Sequence, residues 1–86
     1  MVTPLVIGNW KMNMLVAQSC DMAHSLVSRM SAVEGVDIVI APPFTSLHPV
    51  GQIIKGSGLI LAGQNFYFKS DGAFTGEVSL EMLKDV

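Results

Sequence analysis

Eighty-six residues, 50% hydrophobic and 14% charged with mean hydropathy +0.50, are too apolar for a disordered segment and make one small unit. The formal net charge is −2 and the five Lys and Arg residues form no cluster, which argues against nucleic acid or an anionic membrane as partner. No apolar run approaches the ~20 residues of a membrane span, no secretory pattern opens the chain, and the lone Cys20 fits a reducing, cytoplasmic location.

The first strand is expected from about Pro4 to Lys11, where Leu5-Val6-Ile7 runs into Gly8-Asn9-Trp10-Lys11-Met12-Asn13. Alternate side chains of a strand share a face, so Asn9 and Lys11 should point one way and Trp10 the other. At the carboxyl end of a parallel strand, an amide beside an ammonium group suits a small anion such as a phosphate ester. An ordinary strand end whose polar groups meet water fits equally well. Both readings stay open here.

Residues from about Leu15 to Met30 read as a helix, with Met22, Ala23, Leu26, Val27 and Met30 as its apolar stripe. His24 falls on the solvent side, the methionines read as packing, and Cys20 has no nucleophile motif around it. Glu34-Gly35 is expected to end this unit. Val36-Asp37-Ile38-Val39-Ile40-Ala41 is a second strand, apolar enough to be buried on both faces. Pro42-Pro43 stops it. A second helix, capped by Ser46 with Pro49 in its first turn, turns Leu47, Val50, Ile53 and Ile54 inward and leaves His48 on the surface. Leu59 to Gly63 forms the third strand. The order β-α-β-α-β predicts right-handed crossovers and a parallel sheet in one α/β domain, residues 1–86.

The segment from Gln64 to Ser79 is too long for a tight connection and carries Phe66, Tyr67, Phe68 and Phe74 around Asp71-Gly72-Ala73. These aromatics dock on another surface or else cover their own sheet. Ser79 can cap a short helix that follows. Asn9, Lys11, Gln64 and Asn65 all fall on the carboxyl-end rim of the sheet, where a lysine can stabilise negative charge. No carboxylate is clearly on that rim to act as a base. There is no Walker loop, no G-x-G-x-x-G, no G-x-S-x-G elbow, and no zinc or EF-hand spacing, so neither metal nor cofactor is expected.

Gly8-Asn9-Trp10-Lys11-Met12-Asn13 resembles the N-terminal signature of the triosephosphate isomerase family. The resemblance continues in Ala41-Pro42-Pro43-Phe44, in Gly63-Gln64-Asn65, and from Asp71-Gly72-Ala73-Phe74 through Thr75-Gly76-Glu77-Val78-Ser79. It implies a TIM-type (β/α)₈ barrel, normally about 250 residues. This chain then corresponds to the first third: three strands, two helices, the long loop and a short helix. By that resemblance Asn9 and Lys11 would bind a phosphorylated triose, Lys11 being the catalytic cation. The loop 66–79 would be the arm of a homodimer interface, with Phe74, Thr75, Gly76 and Glu77 in the arm and Gln64 and Asn65 as its supports.

The family interconverts dihydroxyacetone phosphate and glyceraldehyde 3-phosphate in glycolysis and gluconeogenesis without a cofactor. It is the standard example of a glutamate base working with a neutral histidine electrophile under a lid loop. None of these three has a counterpart in residues 1–86, so the chain alone is expected to be inactive. The alternative reading is a non-catalytic barrel fragment that acts in subunit association.

Overall fold

A computed structural model describes residues 2–86. Three strands, β1 (Leu5–Asn9), β2 (Asp37–Ala41) and β3 (Ile60–Leu61), form a parallel sheet in the order β1-β2-β3. Three helices accompany them: α1 (Val16–Met30), α2 (Phe44–Ile54) and α3 (Leu80–Asp85). Leu5 pairs with Asp37 and Asn9 with Ala41, while Val39 pairs with Ile60, so the strands end together at one rim. The β-α-β-α-β order read from the sequence is the order observed.

The core lies between the sheet and its helices. Ala23 of α1, Ile40 of β2, and Val50 and Ile54 of α2 are buried, with Trp10, Leu26, Val27, Ile53, Leu59 and Leu61 packed around them. Strand β2 sits in the middle of the sheet, and its Ile40 and Ala41 are buried while Ile38 and Val39 are half-buried. Burial on both faces, expected from its apolar run, is therefore reached only toward its carboxyl end. Strand β1 is different. Leu5, Val6 and Ile7 are 57%, 56% and 58% exposed, because β1 is an edge strand and α1 leans on α2 instead of covering it.

Three local expectations change. First, α1 ends at Met30 as expected, but Gly35, at φ +76°, is not its terminator and serves instead to turn the chain into β2. Second, Met22 is exposed, since the inward line of α1 is Ser19, Ala23 and Leu26 at i, i+4 and i+7. Third, Ser46 is not the cap of α2. That helix begins at Phe44 directly behind Pro43, and Pro49 lies in its second turn. Proline already fixes the entry to α2, and the Ser46 hydroxyl is engaged elsewhere.

Its partner is Ser19. The two hydroxyls are 2.8 Å apart, fully buried, and join α1 to α2. A buried hydroxyl that loses its partner costs about 1–3 kcal/mol, whereas removing both partners costs less than the sum. Ser19→Ala and Ser46→Ala should therefore each lower the urea midpoint, and the double variant should fall short of additivity by roughly 1 kcal/mol. An additive double-mutant cycle would show that the contact carries no coupling.

Beyond β3, the chain passes Gly63 and enters the loop expected from the sequence. Ser79 caps α3 as predicted, its Oγ accepting from the Met82 N–H at 3.2 Å. Helix α3 packs so closely on the end of β3 that a Cβ at Gly63 would lie 2.8 Å from Leu83 Cδ1. A larger residue there would force the Leu83 side chain to shift.

Candidate functional site

The rim is built where β1 stops. Ladder pairing continues one residue beyond the strand, with the Trp10 N–H donating to the Ala41 carbonyl at 3.0 Å, and the Trp10 ring turns into the core. Lys11 then breaks from the extended backbone with φ +57°. The expectation of a strand running through Lys11 is thus corrected. The pleat sets the direction of Trp10, but a left-handed turn sets that of Lys11.

A left-handed conformation is unfavourable for a lysine, costing roughly 1–2 kcal/mol, and persists only where neighbours impose it. Three side-chain amides do so here. Asn9 Oδ1 accepts from the Lys11 N–H at 2.9 Å. Asn13 Nδ2 donates to the Trp10 carbonyl at 2.7 Å. Gln64 Nε2, arriving from beyond β3, donates to the Lys11 carbonyl at 2.8 Å and to the Ala41 carbonyl at 3.0 Å. A single amide group therefore ties the ends of β1 and β2 together.

These contacts decide what remains available for a ligand. The Asn9 oxygen is occupied, which leaves its Nδ2 protons to donate outward, beside an exposed Lys11. Two donors of this kind, one of them charged, suit an anionic oxygen. Asn65 is exposed. Neither histidine joins the cluster, since His24 and His48 are exposed on α1 and α2. Among the described residues no group of three or more His, Cys, Asp and Glu could hold a metal ion. No helix among them is long and apolar enough to cross a membrane.

The remaining predicted site residues lie in a separate arm. Its base is closed by the Tyr67 N–H donating to the Val78 carbonyl at 2.7 Å, beside a parallel bridge between Tyr67 and Ser79. The Tyr67 ring stacks at 4.8 Å on Phe68 and 4.6 Å on Phe74, both tilted by 39°. Lys69 Nζ lies 5.2 Å from the centre of the Phe68 ring. Gly72, at φ +132°, lets Phe74 fold over the backbone, for a Cβ there would meet the ring at 2.7 Å. Phe74, Thr75, Gly76 and Glu77 are all exposed, and the Glu77 N–H donates to the Phe74 carbonyl at 3.1 Å. The aromatics cover one another, and Phe66 and Phe68 remain 55% and 75% exposed. Glu77 borders a cleft lined by Tyr67, Lys69, Asp71 and Phe74 of the arm and by Met82 of α3.

The structure thus brings Asn9, Lys11 and Gln64 together and keeps Phe74 to Glu77 in the arm. Asn13 is the rim residue that sequence reasoning overlooked. Its signal was present: an asparagine just past a strand readily bonds back to a nearby carbonyl.

Comparison with known proteins bears directly on this arrangement. The family model described as triosephosphate isomerase matches residues 4–86. The triosephosphate isomerase of Carboxydothermus hydrogenoformans is 41% identical over 83 residues, which are 96% of this chain and 33% of that protein. That of Pelobacter propionicus is 44% identical over 85 residues, 99% of this chain and 34% of the relative. The crystal structure of triosephosphate isomerase from Bartonella henselae superposes with a TM-score of 0.89 at 32% identity, covering 98% of this chain and 34% of that one. The chain spans about a third of the length of the curated relatives it matches, and its three parallel strands with their helices form part of a TIM-type (β/α)₈ barrel. With the four sequence blocks in order and the backbone superposing throughout, the chain belongs to the triosephosphate isomerase family.

Proposed function

We propose that residues 1–86, one partial domain, supply the substrate-orienting rim of a triose-phosphate isomerase. That enzyme interconverts dihydroxyacetone phosphate and glyceraldehyde 3-phosphate, moving a proton between adjacent carbons through an enediol. The reading rests on one observation above all: the Lys11 backbone is held left-handed at the rim by three amides, a strained arrangement that fixes the point from which a charged side chain projects. Asn9 Nδ2 and Lys11 Nζ bind the phosphorylated triose, and Lys11 stabilises the negative charge that grows on its oxygen in the enediolate. No cofactor takes part. A soluble, cytosolic enzyme of glycolysis and gluconeogenesis is the setting this implies.

Proton transfer itself needs a base within hydrogen-bond reach of the substrate carbon, and among the described residues no carboxylate or imidazole is hydrogen-bonded into the Lys11 cluster. The 86-residue chain assayed alone should therefore show no isomerisation. Mixed with the complementary part of a family barrel, it should show activity. Turnover by the chain alone would overturn the division of labour. An assembled but inactive barrel would overturn the isomerase reading.

The arm 66–79 is the segment through which a second copy docks, with Phe74, Thr75, Gly76 and Glu77 at the contact and Asn65 beside it. The exposed Phe66 and Phe68 support this, since a loop that stacks its own aromatics and still presents two of them is shaped for a partner. The exposed edge of β1 favours association as a second role, one that survives even if the completed barrel proves inactive.

A further inference from the structure

The angle φ of Lys11 relates two peptide planes, and each plane is held by named side chains. The 10–11 peptide is gripped at both ends: its N–H by Asn9 Oδ1 at 2.9 Å and its carbonyl by Asn13 Nδ2 at 2.7 Å. The 11–12 peptide is held at its carbonyl by Gln64 Nε2 at 2.8 Å. On the upstream side Trp10 cannot move, because its N–H is in the ladder to Ala41 and its ring is in the core. The one soft motion left is a turning-over of the 10–11 peptide. That motion would swing φ of Lys11 from +57° to the negative values lysine prefers, would break the Lys11 N–H bond to Asn9 Oδ1, and would release the backbone from which the ammonium group projects.

We propose that Asn13 is the positioning residue that blocks this motion, acting on catalysis through the Trp10 carbonyl and the Lys11 backbone, not by touching substrate. The proposal rests on the isomerase reading for its consequence in turnover, but not for its geometry. Asn9 holds the peptide with less security, because in the proposed function its Nδ2 also serves the ligand, and any tilt of that side chain toward an anion pulls on the Lys11 N–H. Asn13 carries no such double duty. Its amide points back to the chain and closes a three-residue span, after which Met14 also adopts a left-handed φ of +75°. The run from Lys11 to Met14 is thus two left-handed residues with an asparagine lock between them.

The test uses two variants. Asn13→Ala removes the donor, and Asn13→Asp keeps the shape but offers a carboxylate that can only accept. Lysine-labelled samples of the 86-residue chain report the Lys11 backbone through its intraresidue HN–Hα cross-peak, which is strong at positive φ because the two protons are then close. In the wild type this peak should be strong, and in both variants it should fall to the level of Lys55 and Lys84. In the barrel completed with residues 1–86, KM for the triose phosphate should rise about tenfold, the equivalent of one hydrogen bond, with a smaller change in kcat. A wild-type cross-peak retained in Asn13→Ala would overturn the proposal, whatever KM does, and so would an unchanged KM. A wild-type barrel without activity would instead remove the isomerase reading, and the cross-peak would still decide the role of Asn13.

Discussion

Replacing Lys11 with methionine is expected to lower kcat/KM of the completed isomerase by about 10²- to 10³-fold, the loss seen when one preorganised donor at a developing negative charge is removed. Methionine keeps the length and stem of the side chain and deletes only the charge. The wild-type rate should also fall with added salt, because the attraction is between a surface cation and an anion, and the variant should lose that dependence. Lys11→Gly makes the more informative companion. Glycine adopts φ +57° without the penalty that lysine bears, so the urea midpoint should rise by the equivalent of roughly 1 kcal/mol while activity falls as far as in Lys11→Met. A residue present for structure would lose stability on such a change. Only one kept for its ammonium group would show stability and activity moving in opposite directions. A Lys11→Gly variant that is both less stable and fully active would exclude the proposed role.

This strain explains why the sequence predicted the rim well in content and poorly in shape. Period-two alternation turned Trp10 away from the side of Asn9, and its ring does pack against the core, because the ladder to Ala41 extends that far. It failed one residue later, since nothing in a pleat anticipates a lysine at positive φ. Such a conformation is imposed by tertiary contacts, here by Gln64 from more than fifty residues away. The cap of α2 was misplaced for a related reason. Serine directly before a helical stripe is an ordinary cap signal, yet Ser46 spends its hydroxyl on Ser19 across a helix interface. Local rules cannot see a partner supplied by another helix. The cap at Ser79 was predicted correctly because its acceptor and donor lie three residues apart.

The half-exposed β1 strand carries the same lesson at the level of the fold. Its Leu5-Val6-Ile7 run has the composition of a strand buried on both faces, and the helices of residues 2–86 lie over β2 and β3. The site inherits this asymmetry. Its cation and amides stand on an edge strand, so the precision of the rim cannot come from burial. It comes from hydrogen bonds that reach across from the middle of the sheet and from beyond β3, which makes the crossing amide the member whose loss should be felt furthest.

Gln64 is that member. Its two Nε2 protons are divided between the carbonyls of Lys11 and Ala41, so Gln64→Leu deletes both bonds while filling similar space. Water can reach the exposed Lys11 carbonyl more readily than the part-buried Ala41 carbonyl, which places the expected loss of stability at about 1–3 kcal/mol instead of twice that. The loss of activity should be larger in proportion. With the 11–12 peptide freed, one of the two planes that flank Lys11 is loosened, and kcat/KM should fall by on the order of 10- to 100-fold. Gln64→Glu separates the two causes. An ionised carboxylate has no proton to give and faces two carbonyl oxygens, so it should be worse than leucine at neutral pH. Lowering the pH protonates it and restores one donor, so the defect in urea stability should shrink as the introduced carboxyl titrates, while that of Gln64→Leu stays flat by comparison. If Gln64→Leu leaves both the urea midpoint and kcat/KM unchanged, the amide does not hold the rim, and the left-handed lysine must be sustained by Asn9 and Asn13 alone.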